Sequence, residues 1–139
     1  MTSYNSYVGL KYNRTSFNVD KDIGVNCIGL IKDIDKDFSK FIDNLTNETN
    51  TAKILNGNRN LFKTYNKVDF EQRSKNDIIL IKDKKEKAYT HIGILVDKNN
   101  YLHAVDIKFG SIIQHISFLK FTNKDFILLR KKEEVKNEN

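Results

Sequence analysis

The sequence predicts an α+β domain in which a helix packs on one face of an antiparallel sheet of five to six strands. Two observations support this prediction. A segment with helical periodicity begins at Cys27, and five segments with strand periodicity follow it after residue 77. Because the helix and the strands are segregated along the chain, an α+β architecture is favoured.

The helical segment is the clearest element of the chain. Residues 27–45 carry apolar side chains at steps of three and four, with charged side chains on the opposite side. Asn26 comes directly before this segment, and an Asn side chain at that position can accept a hydrogen bond from a free amide of the first turn. We therefore expect one helix over 27–45, capped by Asn26.

The strands are expected at 78–81, 90–96, 101–107, 111–117 and 125–129, where apolar residues run between turns that contain charged residues, Asn or Gly. Residues 7–12 suggest a short first element. The stretch 46–76 is rich in Asn, Thr and Lys, and we expect short helices around 51–55 and 60–68. A single domain over 1–130 is expected, followed by a charged, frayed tail over 131–139.

Composition excludes several classes of protein. The 24 Lys and Arg outnumber the 18 Asp and Glu, and the resulting charge of +6 fits either a solvated surface or attraction to a polyanion. The lysines are dispersed among acidic residues, whereas a nucleic-acid binder would cluster its cations on one face, so we expect no nucleic-acid partner. The first 25 residues are polar, and no apolar run approaches the roughly 20 residues of a spanning helix, so neither a signal peptide nor a membrane span is expected.

Cys27 is the single cysteine, which excludes an internal disulfide framework and a Cys-rich zinc site. It is therefore either a buried apolar side chain or a reactive thiol. The first turn of a helix favours the reactive thiolate, because free amides and the helix dipole stabilise negative charge there. Gly29 in the same turn costs about 1 kcal/mol relative to Ala, and it indicates the close approach of another element. We expect that element to be a strand carrying a base.

His91 and His103 are the candidates for the base and for the residue that orients it. His91 opens an apolar strand, and His103 lies on the next strand across a turn around 97–100. Both imidazoles share one face of this hairpin if an odd number of residues separates the paired positions, or if the loop holds a bulge. Each histidine taken alone also fits a half-buried strand residue. His115 is expected to face solvent, and no metal site is expected.

Five short segments together resemble one known family. Residues 24–31, Gly-Val-Asn-Cys-Ile-Gly-Leu-Ile, are similar to a Gly-x-Asp-Cys-x-Gly-Leu signature. Residues 91–94 and 101–104 are similar to a His-Val-Gly-Ile strand and an aromatic-x-His-Ala strand at the same spacing. Residues 7–12 resemble a Tyr-x-Gly-x-x-Tyr entry segment, and 76–80 resemble the strand before the histidine. These are motifs of the NlpC family of cell-wall cysteine peptidases, and the compact form resembles hydrolases of phage tails.

The resemblance implies a papain-like fold and hydrolysis of an amide bond in peptidoglycan stem peptides through a thioester. It implies Cys27 as nucleophile, His91 as base and His103 as the residue that orients the base. Tyr12 and Asn26 would lie at the oxyanion or substrate. Asn26 stands where the family has Asp, which keeps a helix cap but removes a charge. The strand at 76–80 also lacks the family's usual Pro-Gly turn.

The resemblance implies no cofactor and no metal. Its implied partners are stem peptides, together with other virion or tail proteins if the chain belongs to a tail. The enzyme would act at the wall after lysis or within a virion. The alternative is a catalytically silent assembly domain of the same fold.

Overall fold

The computed structural model describes residues 4–41 and 59–132. The helices are α1 (Cys27–Ile34), α2 (Arg59–Thr64) and α3 (Ser117–Phe121), with 3-10 turns at Asn5–Tyr7, Phe38–Phe41 and Phe70–Gln72. The strands are β1 (Tyr65–Val68), β2 (Ile78–Asp83), β3 (His91–Leu95), β4 (Asn100–Ala104), β5 (Ser111–His115) and β6 (Lys124–Lys131). This arrangement confirms the predicted α+β class.

The six strands form one antiparallel sheet in the order β1-β6-β2-β3-β4-β5. All five predicted strands are present. Strands β2 to β5 follow one another as a meander, and β6 returns to pair with β2. The sixth strand, β1, falls where a helix over 60–68 was expected, and that expectation is wrong for its second half. Tyr65 is buried and pairs with Lys131 of β6, so strand pairing takes over from the helix at that residue.

The two faces of the sheet are covered by different helices, and we name them the α1 face and the α3 face. Buried side chains of α1 pack on the α1 face with Ile78, Leu80, Ile92, Ile94, Leu102 and Ala104. The α3 face carries Ile79, Ile81, Leu95, Tyr101 and Leu128, which pack with Ile116 and Leu119. Because successive side chains of a strand point to opposite faces, the strands contribute residues to two separate apolar clusters.

Helix α1 begins as predicted and ends earlier than predicted. It stops at Ile34 instead of continuing towards residue 45. The Oδ1 atom of Asp35 accepts hydrogen bonds from the amides of Asp37 and Phe38, and this local turn competes with the next helical hydrogen bonds. A 3-10 turn at Phe38–Phe41 follows.

Other expectations lie outside the described residues. These are the helix end at 42–45, the short helix around 51–55, and the tail from 133 onwards. Within residues 4–41 and 59–132, each helix is too short or too polar to cross a membrane.

Candidate active site

His91 and His103 are brought together by the β3–β4 hairpin. Ile94 lies opposite Leu102 and Leu95 opposite Tyr101, so five residues separate Leu95 from Tyr101. This odd number meets the requirement for both imidazoles to share a face. His91 Nε2 lies 2.8 Å from His103 Nδ1, and the two rings meet edge to face.

Gly93 makes room for this contact. The hairpin register places Gly93 opposite His103, and a Cβ atom built on Gly93 would lie 3.3 Å from His103 Cβ and 2.9 Å from Leu102 O. Histidine 91 is the diagonal neighbour on the same strand, at a distance that a long or aromatic side chain can bridge. The bare backbone at Gly93 therefore allows His103 to reach across towards His91.

Gly93→Ala is expected to displace His103 and to lower the free energy of unfolding by about 1–3 kcal/mol, because the added methyl group meets strand backbone that cannot yield cheaply. Urea unfolding of the variant measures this loss. A variant as stable as the wild type would show that Gly93 does not control the packing of the pair.

Gln114 on β5 completes the polar chain and was not identified from the sequence. Its Oε1 atom lies 2.6 Å from His103 Nε2, and it accepts a hydrogen bond of 3.2 Å from the Tyr101 hydroxyl. Gln114 pairs with Tyr101 across β4 and β5, which brings its side chain to the same face as His103. Nothing in the sequence marks this Gln of an edge strand as the partner of His103, because that contact depends on the β4–β5 register.

The polar chain lines a cleft on the α3 face of the sheet. The cleft lies between the strand ends and α3, and its walls include Ile81, Tyr101, Val105, Phe118, Leu119 and Thr122 beside the two histidines. Lys82, Asp83 and Lys124 supply charge at its edge, and Lys124 forms an ion pair with Asp83. The site therefore combines an apolar wall with a pair of imidazoles, of which His103 is buried and His91 half-buried.

Both imidazoles are held neutral. Burial lowers the pKa of His91 to about 3, and repulsion from His103 and Lys124 adds to this effect. Burial also lowers the pKa of His103 to about 4, although its hydrogen bond with Gln114 acts in the opposite direction. At neutral pH each ring therefore carries one proton and one lone pair, as a base and its orienting partner require.

We expect stability to fall when the pH is lowered from about 6.5 towards 4. Unfolded imidazoles titrate near pH 6.5, and the folded pair titrates at about 3 and about 4. The unfolded chain binds more protons between these values, so the free energy of unfolding rises with pH across that window. Urea unfolding at a series of pH values measures the slope. His91→Gln should reduce this slope, and an unchanged slope would contradict the lowered pKa.

Cys27 lies in a different layer from the two histidines. Its side chain is 1% exposed and belongs to the apolar cluster on the α1 face, together with Ile92 and Ile94. Successive strand residues point to opposite faces, so His91 and Gly93 point to the α3 face. The structure therefore joins two of the three predicted catalytic residues and places the third behind the sheet.

Cys27 and His91 nevertheless lie at the same end of the sheet. His91 is the first residue of β3, and the neighbouring strand β4 ends there at Ala104, opposite Ser111. The chain leading to α1 is fastened at this end, because the Leu10 amide donates to Ser111 Oγ and the Val25 amide donates to the Lys11 carbonyl. The thiol and the imidazole thus share an end of the sheet and differ in face.

The close approach expected at Gly29 is present, but its partner differs from the one expected. A Cβ atom on Gly29 would lie 2.7 Å from the Phe17 carbonyl carbon and 2.7 Å from Val25 Cγ2. The neighbour is thus the loop before α1 and not the strand of His91. Gly29 packs this loop against the helix.

Asn26 has a structural role at the start of α1. It is fully buried, its Oδ1 accepts from the Gly29 amide at 2.8 Å, and its Nδ2 donates to the Arg14 carbonyl at 3.0 Å. Tyr12 is half-buried, forms a backbone bridge with Val25, and packs against the cluster on the α1 face. Both residues lie on the side of Cys27 rather than in the cleft.

Asn26→Ala is expected to lower the free energy of unfolding by about 2 kcal/mol, since it removes a helix cap and leaves the Arg14 carbonyl without this donor. Asn26→Ser keeps a cap acceptor and removes the amide donor without adding a charge, so it separates the two contributions in urea unfolding. Equal stability of the Ala variant and the wild type would contradict the capping role.

His115 is exposed, as predicted, and its Nδ1 accepts a hydrogen bond of 3.2 Å from the Ser117 amide. Among the described residues, no three His, Cys, Asp or Glu side chains are grouped so that they could hold a metal ion.

Neither the models of protein families nor the curated proteins contain a match to this chain. The resemblance therefore rests on the five short segments alone.

Proposed function

We propose that the chain is a papain-like cysteine peptidase of the NlpC type that hydrolyses amide bonds in peptidoglycan stem peptides. The observation that carries the proposal is the chain of contacts from His91 through His103 to Gln114. A base oriented by a polar partner is two thirds of the arrangement that cysteine and serine hydrolases use, the nucleophile being the third member.

In the proposed reaction Cys27 gives its proton to His91 and attacks the substrate carbonyl. The leaving amine takes the proton from His91, and a thioester forms on Cys27. His91 then removes a proton from water, which hydrolyses the thioester and regenerates the thiol. The backbone amide at the start of α1 stabilises the oxyanion, with the Tyr12 hydroxyl as the second donor, and one such donor is typically worth about 3 kcal/mol.

The proposed reaction requires the thiol of Cys27 to come into contact with the imidazole of His91. Cys27 and His91 share an end of the sheet but lie on opposite faces, so the start of α1 has to shift relative to the start of β3 before the thiol meets the imidazole. The asparagine cap, the loop packed on Gly29 and the tether at Ser111 are the contacts that such a shift would strain.

The test is release of new amines from purified peptidoglycan by wild type and by Cys27→Ala, with both proteins shown to be folded. Release by the wild type and not by the variant is expected. A wild type that is inert on several wall types, and whose Cys27 resists an electrophilic thiol reagent, would overturn the proposal.

The burial of Cys27 favours a second candidate, a catalytically silent assembly domain of the same fold within a virion or tail. In that case Cys27 is a small apolar side chain of the core. Unchanged stability and assembly in Cys27→Ala, together with no amine release by the wild type, would support this candidate.

A further inference from the structure

The Oε1 atom of Gln114 lies within hydrogen-bond distance of both the Tyr101 hydroxyl and the His103 ring. The Tyr101 hydroxyl donates to Oε1 at 3.2 Å, and His103 Nε2 lies 2.6 Å from the same oxygen. An amide oxygen accepts and cannot donate, so the proton between Gln114 and His103 belongs to His103 Nε2.

The donor and the acceptor of the hydrogen bond between the two histidines follow from this assignment. Because a neutral imidazole carries one proton, His103 Nδ1 holds a lone pair. His91 Nε2 lies 2.8 Å from His103 Nδ1 and is therefore the donor. The lone pair of His91 is then on Nδ1, the nitrogen that is not bonded to His103.

We propose that Gln114 is a positioning residue that sets the tautomers of both histidines and thereby places the basic lone pair on His91 Nδ1. This inference deepens the proposed function, because it names the residue that prepares the base and the atom that accepts the proton. It rests on the hydrogen-bond geometry of β3, β4 and β5, and Gln114 acts through His103 without touching the substrate.

The strand register explains why Gln114 is suited to this role. His103 lies opposite Ile112, and Gln114 lies opposite Tyr101, so the Gln side chain reaches diagonally across to the His103 ring. The Tyr101 ring packs beside His103, with ring centroids 4.5 Å apart. Tyr101 therefore confines the His103 ring from one side and occupies the second lone pair of the Gln oxygen.

The test is the two-bond ¹H–¹⁵N spectrum of the imidazole rings near neutral pH, recorded on wild type, Gln114→Leu and Gln114→Glu. In the wild type, both His91 and His103 are expected to carry their proton on Nε2. Gln114→Leu removes the acceptor, and the ring shifts are expected to move towards a mixture of tautomers. Gln114→Glu keeps an acceptor oxygen, and its imidazole shifts are expected to match those of the wild type.

A proton on His91 Nδ1 in the wild type would overturn the inference, because His103 would then have to donate to His91 and the hydrogen bonds would run in the reverse direction. Tautomers that are unchanged in Gln114→Leu would also overturn it. Neither readout needs a substrate, so both remain decisive if the protein proves not to be a peptidase. Where amine release is measurable, Gln114→Leu should lower kcat by between about 10-fold and 10⁴-fold with little change in KM, the upper figure being that for a triad base in the wrong tautomer.

Discussion

His91→Gln is expected to lower the rate of amine release from peptidoglycan by about 10²- to 10⁴-fold, the contribution of a general acid and base. Glutamine retains polarity and approximate size but cannot exchange a proton in this pH range. His91 is half-buried at the start of β3, so the variant is expected to fold. The measurement is kcat/KM on a soluble stem peptide, with urea unfolding as the check on folding.

His115→Gln is the matched control for this variant. It makes the same chemical change on β5, at an exposed site away from the imidazole pair. We expect its activity to equal that of the wild type. Equal losses in the two variants, or full activity of His91→Gln, would contradict the role given to His91.

Arg130→Met is expected to cost about 3 kcal/mol of stability, because it leaves a buried carboxylate without its cation. Asp77 is 1% exposed, and both of its oxygens accept from Arg130, at 2.8 and 2.9 Å. It also accepts from the Ser74 amide at 2.8 Å. The pair joins the entry to β2 with β6 at the centre of the sheet. The free energy of unfolding in urea measures the loss.

Two comparisons make this stability prediction specific. Lys36→Met breaks a surface pair with Asp33, whose side chains are 78% and 41% exposed, and is expected to cost less than about 1 kcal/mol. Combining Asp77→Asn with Arg130→Met removes the uncompensated charge and should recover part of the loss. Equal costs for Arg130→Met and Lys36→Met would contradict the importance of burial.

The strands were predictable because apolar residues bounded by turn residues mark strands locally, and the start of α1 was predictable because Asn26 is a strong cap. The end of α1 was not, since Asp35 ends the helix through bonds to its own neighbours while the apolar period continues to residue 45. Helix α3 and strand β1 are short and depend on packing and pairing rather than on local preference.

The pairing of the two histidines was predictable from their spacing, whereas the face on which they lie was misjudged. Ile92 and Ile94 alternate with His91 and Gly93, and the apolar side of α1 packs on the isoleucines. Gly93, on the same face as His91, gives room to His103. The alternation of apolar and polar residues in β3 already indicates which face carries the histidines. Gln114 could be identified as their neighbour only once the register of β5 was known.

The most direct test of the account is the rate at which iodoacetamide alkylates Cys27 at pH 7 in wild type, His91→Gln and His115→Gln. If the thiol meets His91, the wild type and His115→Gln are expected to react at least about 10-fold faster than His91→Gln, because the base raises the thiolate fraction. Equal rates in all three proteins, no faster than global unfolding, would show that Cys27 stays in the core behind the sheet and that the proposed triad does not form.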